Sequence, residues 1–119
     1  MKVIVAGTRT IECAGTVGEA IRESGFNVDE LVSGTCAGVD QTAEALAALH
    51  GIPVKQFPPD WKTHGKAAGP IRNRQMAEYA DALVAVWDGE SRGTKNMIDE
   101  MKKLGKPVHV YVVREDDAE

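Results

Sequence analysis

The sequence predicts a three-layer α/β/α sandwich built on a mainly parallel sheet, and three observations carry that expectation. Short β-branched runs alternate with longer helical stretches along the chain. Two joints, His50-Gly51-Ile52-Pro53-Val54 and Leu104-Gly105-Lys106-Pro107-Val108, place glycine after a helix and proline ahead of a strand, as helix-to-strand returns do. The strand-like runs are also apolar without strict alternation, which suits parallel strands covered on both faces.

Each element follows from its residues. Val3 to Ala6 reads as the first strand, and Ile11 to about Ser24 as a helix with Val17, Ala20 and Ile21 on one face and Gly25 as its cap. Val28 to Val32 is a second strand. It runs into the glycine-punctuated turn 33–40, SGTCAGVD, and then a helix over Gln41 to His50. After the first return, a long polar segment from Phe57 to Pro70 ends at Gly69-Pro70, a helix start with proline in the first helical position. Ala82 to Trp87 and Val108 to Val113 are the remaining strong strands, with a helix from about Thr94 to Leu104 between them. Residues 1–113 are expected to form one domain, and 114–119 an acidic, frayed tail.

With 119 residues, 43% hydrophobic and 27% charged, the chain suits one globular core. Its formal net charge of −4 argues against general attraction to nucleic acid or an anionic membrane surface. No apolar run has signal-peptide or membrane-spanning length, so a cytoplasmic location is expected, with Cys13 and Cys36 as reduced thiols. Neither a cofactor nor a metal is called for: His50 and His109 lack ligand-like spacing.

Function is concentrated at one sheet edge. Open parallel sheets hold ligands beyond the carboxyl ends of their strands, where strand order reverses. The loops at that edge carry Gly7, Thr8 and Arg9; then Ser33, Gly34, Thr35, Gly38 and Asp40; then basic residues including Lys66; then Asp88, Gly89, Glu90, Gly93 and Thr94. Glycines let backbone approach an anion, and helix starts present free N–H groups to it, so a phosphorylated ligand is expected. Gly34 to Gly38 and Gly93-Thr94 are assigned to phosphate, and Gly7 to Arg9 to the wall at the switch point.

The segment 61–77 supports an anion. It holds Lys62, Lys66, Arg72 and Arg74 and no acidic residue, in a chain with 18 acidic and 14 basic residues. Arg72, Asn73 and Arg74 are expected in the first turn of their helix, where cations oppose the helix dipole unless an anion compensates them. Arginine forks match phosphate geometry, so loss of Arg72 is expected to weaken binding and leave folding nearly intact. Other positions have two readings. Asp40 fits a ribose contact or a helix cap; Trp61 fits a pocket wall or packing; Asp88 and Glu90 fit ligand contacts or a solvated turn. Trp87 reads as core, His64 as a surface histidine and Cys36 as a small loop residue.

GTRT at 7–10, SGTCAGVDQTAE at 33–44, FPPDWKTHGKAAGPIRNRQM at 57–76, ADALVAVWDG at 80–89 and SRGT at 91–94 together resemble the YspA-related branch of the SLOG superfamily. The resemblance implies a Rossmann-like fold with a five-stranded sheet ordered 3-2-1-4-5 and a pocket for nucleotides or nucleotide-derived ligands. For this branch it implies no settled substrate; with the loop chemistry above, the expected function is a sensor or carrier domain with a small-molecule nucleotide-derived partner, open to homodimer formation.

Two more distant resemblances offer alternatives. The Lonely-guy phosphoribohydrolases cleave the N-glycosidic bond of nucleoside monophosphates. Similarity to them puts Arg72 on a catalytic arginine, Asn73 on a lysine, and Gly89 and Gly93-Thr94 around a glycine loop. Their glutamate, three residues after the threonine, is Met97 here, so the carboxylate such a reaction needs would have to come from Asp40, Asp88 or Glu90. SGTCAGVD with Arg72, Asn73 and Arg74 is also similar to DprA/Smf DNA-processing proteins, which implies single-stranded DNA binding. The acidic total and an aromatic content of 5% speak against that partner.

Overall fold

A computed structural model describes residues 1–113; the expected acidic tail over 114–119 lies outside the described residues. The elements follow in the order β1 (Lys2–Gly7), α1 (Ala14–Ser24), β2 (Glu30–Ser33), α2 (Val39–Leu49), β3 (Val54–Gln56), α3 (Trp61–His64), α4 (Ala68–Tyr79), β4 (Ala82–Trp87), α5 (Arg92–Lys103) and β5 (Val108–Val112), with a 3-10 turn over Gly65–Ala67. All strand pairs are parallel, and the sheet order is β3-β2-β1-β4-β5. This is a Rossmann-like α/β fold with the expected topology.

Side chains of successive strand residues point to opposite faces, and in the two central strands both faces are covered. Val3 and Val5 of β1, with Val84 and Val86 of β4, pack beneath Val17 and Ala20 of α1 and Val39 and Ala43 of α2. Ile4 and Ala6, with Leu83 and Ala85, pack against Met76 and Ala77 of α4 and Met97, Ile98 and Met101 of α5. That two-sided burial is why these strands read as unbroken apolar runs.

Element boundaries differ from expectation in instructive places. Helix α1 begins at Ala14 rather than Ile11, because Ile11 donates its N–H to the Thr8 carbonyl at 3.2 Å and still belongs to the β1–α1 loop. Helix α2 begins at Val39, with Gly38 as N-cap in a positive-φ conformation of 80°. Strand β2 begins at Glu30, the residue opposite Lys2 of β1, and so leaves out Val28. The segment 57–70 is not one loop. Asp60 caps α3 by accepting the Thr63 N–H at 3.2 Å, and the 3-10 turn leads directly into α4. Pro70 is therefore the third residue of α4, tolerated because the first four N–H groups of a helix have no intrahelical acceptor. Arg72, Asn73 and Arg74 consequently lie beyond the first turn, which removes the dipole argument for an anion beside them. Helix α5 starts at Arg92, two residues before Thr94. The second return contributes more than glycine and proline: Lys106 Nζ donates to the carbonyls of Ala77 and Ala80, each at 2.7 Å, closing the C-terminus of α4.

Candidate functional site

The strands β1 and β4 lie side by side and send their chains in opposite directions across the sheet, so a crevice opens beyond their carboxyl ends. It forms a cavity of about 380 Å³. Gly7, Thr8, Arg9 and Thr10 come from the end of β1 and the loop after it, Cys36 and Asp40 from the β2–α2 side, and Arg72, Asn73 and Met76 from α4. Asp88, Ser91, Gly93, Thr94 and Met97 complete it from the β4–α5 side.

Gly7 is required by packing. A Cβ there would stand 2.0 Å from the Val86 carbonyl oxygen and 2.8 Å from Val39 Cγ2, so no other residue lets β1 and β4 pair this closely beneath α2. Gly38 combines φ of 80° with a virtual Cβ 2.3 Å from the Arg9 carbonyl oxygen, and it seats the start of α2 against the β1–α1 loop. Between them, Thr35 is the one non-glycine residue with positive φ (66°) among the described residues. A β-branched residue is costly in that region and is held there by its surroundings. The Thr35 N–H donates to Ser33 Oγ at 3.1 Å, Ser33 Oγ donates to Glu44 at 2.5 Å, and Gln56 donates to the other Glu44 oxygen at 3.0 Å.

This braced turn offers the Gly34 carbonyl to Arg72, whose Nη1 donates to it. The guanidinium also donates through Nε to Asn73 Oδ1 at 2.9 Å, and Asn73 Nδ2 donates to the Gly93 carbonyl at 3.3 Å and to Asn96 at 2.9 Å. A hydrogen-bonded chain thus crosses the floor of the crevice from the β2–α2 turn to the start of α5. Arg72 is only 8% exposed and joins two loops as well as placing a charge in the cavity, an arrangement in which its loss is expected to cost stability.

The two cavity carboxyls occupy opposite environments. Asp40 is 4% exposed, and burial pushes its pKa up to about 6, against the opposing pull of the Cys36 N–H at 3.3 Å, the Arg72 charge and the Gly7 N–H. Asp40 is not the cap of α2, since Gly38 holds that position and makes no side-chain cap. Asp88 accepts the N–H groups of Glu90 and Ser91, each at 2.8 Å, and these hold its carboxyl below the usual range. Its own N–H donates to Thr8 Oγ1 at 3.1 Å, tying the first loop to the fourth.

The start of α5 is open. Ser91 is its N-cap residue, but its Oγ accepts from the Thr94 hydroxyl at 3.2 Å rather than from a backbone N–H of the helix, and Trp87 Nε1 donates to the Ser91 carbonyl at 3.0 Å. The first-turn N–H groups of Arg92, Gly93 and Thr94 therefore have no helical acceptor, and Gly93 and Thr94 line the cavity. A Cβ at Gly93 would meet nothing within 4 Å.

Of the residues singled out in the sequence, Gly7, Thr8, Arg9, Asp40, Arg72, Asn73, Asp88, Gly93 and Thr94 meet at the cavity. Ser33, Gly34, Thr35 and Gly38 stand outside its lining, and Gly89 and Glu90 form the outer part of the Asp88 turn. Lys66 lies in the exposed 3-10 turn, Trp61 is 54% exposed, and Arg74 reaches outward to Glu100 at 3.6 Å. Cavity residues not singled out are Ala6, Thr10, Met76 and Ser91; Met97, expected only as the place of an absent glutamate, and Cys36, read as a small loop residue with its Sγ 3.8 Å from Arg72 Nη2, join them. The position before a helix could have flagged Ser91; the two methionines have ordinary core spacing.

Residues 1–64 match the model of the family described as YspA, cpYpsA-related SLOG. The Gene 61 protein of Mycobacterium phage D29 is 32% identical over 117 residues, spanning 90% of this chain and 93% of that protein. Among solved structures, DNA processing protein A (DprA) from Streptococcus pneumoniae shares the fold with a TM-score of 0.76 at 19% identity, over 98% of this chain. The chain spans about half the length of that protein, 52%.

Proposed function

The chain belongs to the YspA, cpYpsA-related SLOG family, and we propose that its sheet-edge cavity binds a nucleotide or another phosphorylated nucleoside as a sensor or carrier site. The observation that carries this reading is the uncapped start of α5 on the cavity wall, reached through Asn73 by the Arg72 chain. Free N–H groups and the positive end of the helix dipole favour a phosphate, and Gly93 leaves the space for one to approach backbone. A volume of about 380 Å³ lies at the small end of ligand pockets, which suits a single nucleotide better than a dinucleotide. The phosphate assignment moves from Gly34 to Gly38 toward Gly93-Thr94, because the former carry packing and the Arg72 contact.

N-glycosidic hydrolysis is the second reading. Met97 is buried in the cavity lining where the resemblance to phosphoribohydrolases would put glutamate, so the reaction would need one of the two cavity carboxyls, Asp40 or Asp88, instead. Single-stranded DNA binding draws support from the likeness to DprA and from the exposed Trp61 beside Lys62. It draws none from the cavity, whose volume of about 380 Å³ is that of a small-molecule site rather than an extended groove.

A thermal titration with AMP and adenosine tests the proposal. AMP is expected to raise the melting temperature in a concentration-dependent way and adenosine to do much less. Equal rises from the two contradict the phosphate assignment, release of free adenine favours the hydrolase, and a rise with oligothymidylate alone favours DNA.

A further inference from the structure

We infer that Asp40 couples anion binding in this cavity to proton uptake, its carboxyl taking up a proton as a phosphate group enters beside Arg72. The inference rests on the phosphorylated-ligand reading. Its geometry begins at Gly34, where one virtual Cβ position lies 2.6 Å from Arg72 Nη1 and 3.0 Å from Asp40 Oδ2. The guanidinium and the carboxyl thus close on Gly34 from two sides, and both line the same cavity of about 380 Å³. A phosphate that enters this cavity beside Arg72 therefore comes near Asp40.

The charged and titratable groups around Asp40 come from every neighbouring element. Arg72 of α4 favours its ionised form and Glu44 of its own helix opposes it, while the N–H groups of Cys36 and Gly7 donate toward the carboxyl. Arg9, Cys36 and Asp88 share the cavity, and Asp88 is held ionised by its turn. Burial has already brought Asp40 to about 6, two units closer to neutrality than an exposed aspartate. A phosphate adds a second negative charge at short range and engages the arginine that had favoured the carboxylate. Both changes disfavour the ionised carboxyl. A neutral carboxyl also supplies an O–H donor to the anion, which a carboxylate cannot.

Calorimetric titration of the full chain with AMP, repeated near pH 7.5 in buffers of different ionisation enthalpy, counts the protons taken up. AMP titrates near pH 6 itself, so the same titrations on Asp40→Asn provide the reference. The wild type is expected to take up about half a proton or more per AMP beyond Asp40→Asn, and its affinity to fall by up to about tenfold per pH unit above pH 6 relative to that variant. Carbon-13 NMR of the Asp40 carboxyl gives a second measure that needs no variant: its titration midpoint is expected to rise when AMP is added. AMP binding with equal proton uptake in both proteins, or with an unmoved Asp40 midpoint, overturns this inference and leaves nucleotide binding intact. Absence of binding by AMP and by inorganic phosphate overturns both.

Discussion

The two glycine-bearing loops at the sheet edge, 33–40 and 88–94, look alike in sequence and do opposite things in space. In the first, Gly34 makes room for Arg72 and Asp40, Gly38 turns the backbone beneath Arg9, and Asp40 lies in the first turn of α2. That helix start already has its own anionic group. In the second, a Cβ at Gly93 would meet nothing within 4 Å, the cap residue leaves the backbone N–H groups of the helix start uncapped, and Asp88 is turned back onto its own loop. Glycine at a helix start therefore has two physical meanings. It either lets protein approach protein or leaves space for something else, and only the neighbours decide which.

The largest expected effect follows at the first loop. Gly38→Ala forces a Cβ against the Arg9 and Thr8 carbonyls at positive φ, so it should cost about 3 kcal/mol or more, measured by urea denaturation. A loss below about 1 kcal/mol would mean that this loop is loosely packed and open to a ligand after all.

Asp40 comes next. The folded chain holds its proton up to about pH 6, whereas the unfolded chain releases it near 3.8. Between those values the folded state binds more protons, so this group stabilises the fold fully below the lower value and loses that contribution as pH rises through about 6. Wild type relative to Asp40→Asn should lose up to about 3 kcal/mol between acid and neutral pH. The difference between the two proteins isolates this effect from Asp88 and Asp81, whose lowered values act in the opposite sense. A difference that does not change with pH would contradict a buried carboxyl in the first loop.

Arg72→Ala should cost about 1–3 kcal/mol of stability, because it leaves the Gly34 carbonyl and Asn73 without their partner. It should also weaken AMP binding. Stability lost with binding unchanged in the folded fraction would make Arg72 a bolt only.

The smallest change falls in the second loop. Gly93→Ala meets no atom within 4 Å and gains helix propensity, so the unliganded protein should be unchanged or more stable by roughly 0.5 kcal/mol. AMP affinity should nevertheless fall, since the methyl group occupies the approach to the backbone. Stability and binding then move in opposite directions, which a scaffold glycine cannot produce.

The sheet, its order and the edge where the candidate residues gather were legible because two-sided burial writes an apolar run for each central strand and the ordered motifs resemble a known superfamily. Val3 to Ala6 and Ala82 to Trp87 needed no tertiary information. The start of α4 was not legible: Pro70 fits any position in a first turn, and the Asp60 cap and 3-10 turn that begin the helical path earlier leave only weak local signals. Nor could sequence separate Arg72 from Arg74. They are two residues apart on a helix and so point to different sides, one toward Gly34 and the other toward Glu100. Met97 was noticed only as a missing carboxylate, yet it is part of the cavity wall.

The most direct test is a backbone amide NMR titration of the nitrogen-15-labelled chain with AMP. The largest shifts are expected at Arg92, Gly93 and Thr94, with smaller ones at Gly7 to Thr10 and at Cys36, whose N–H donates to Asp40, while Gly34, Thr35 and Gly38 move least. If the amides of Gly34 to Gly38 move most and those of Arg92 to Thr94 stay in place, the anion belongs to the first loop and the assignment made here is wrong.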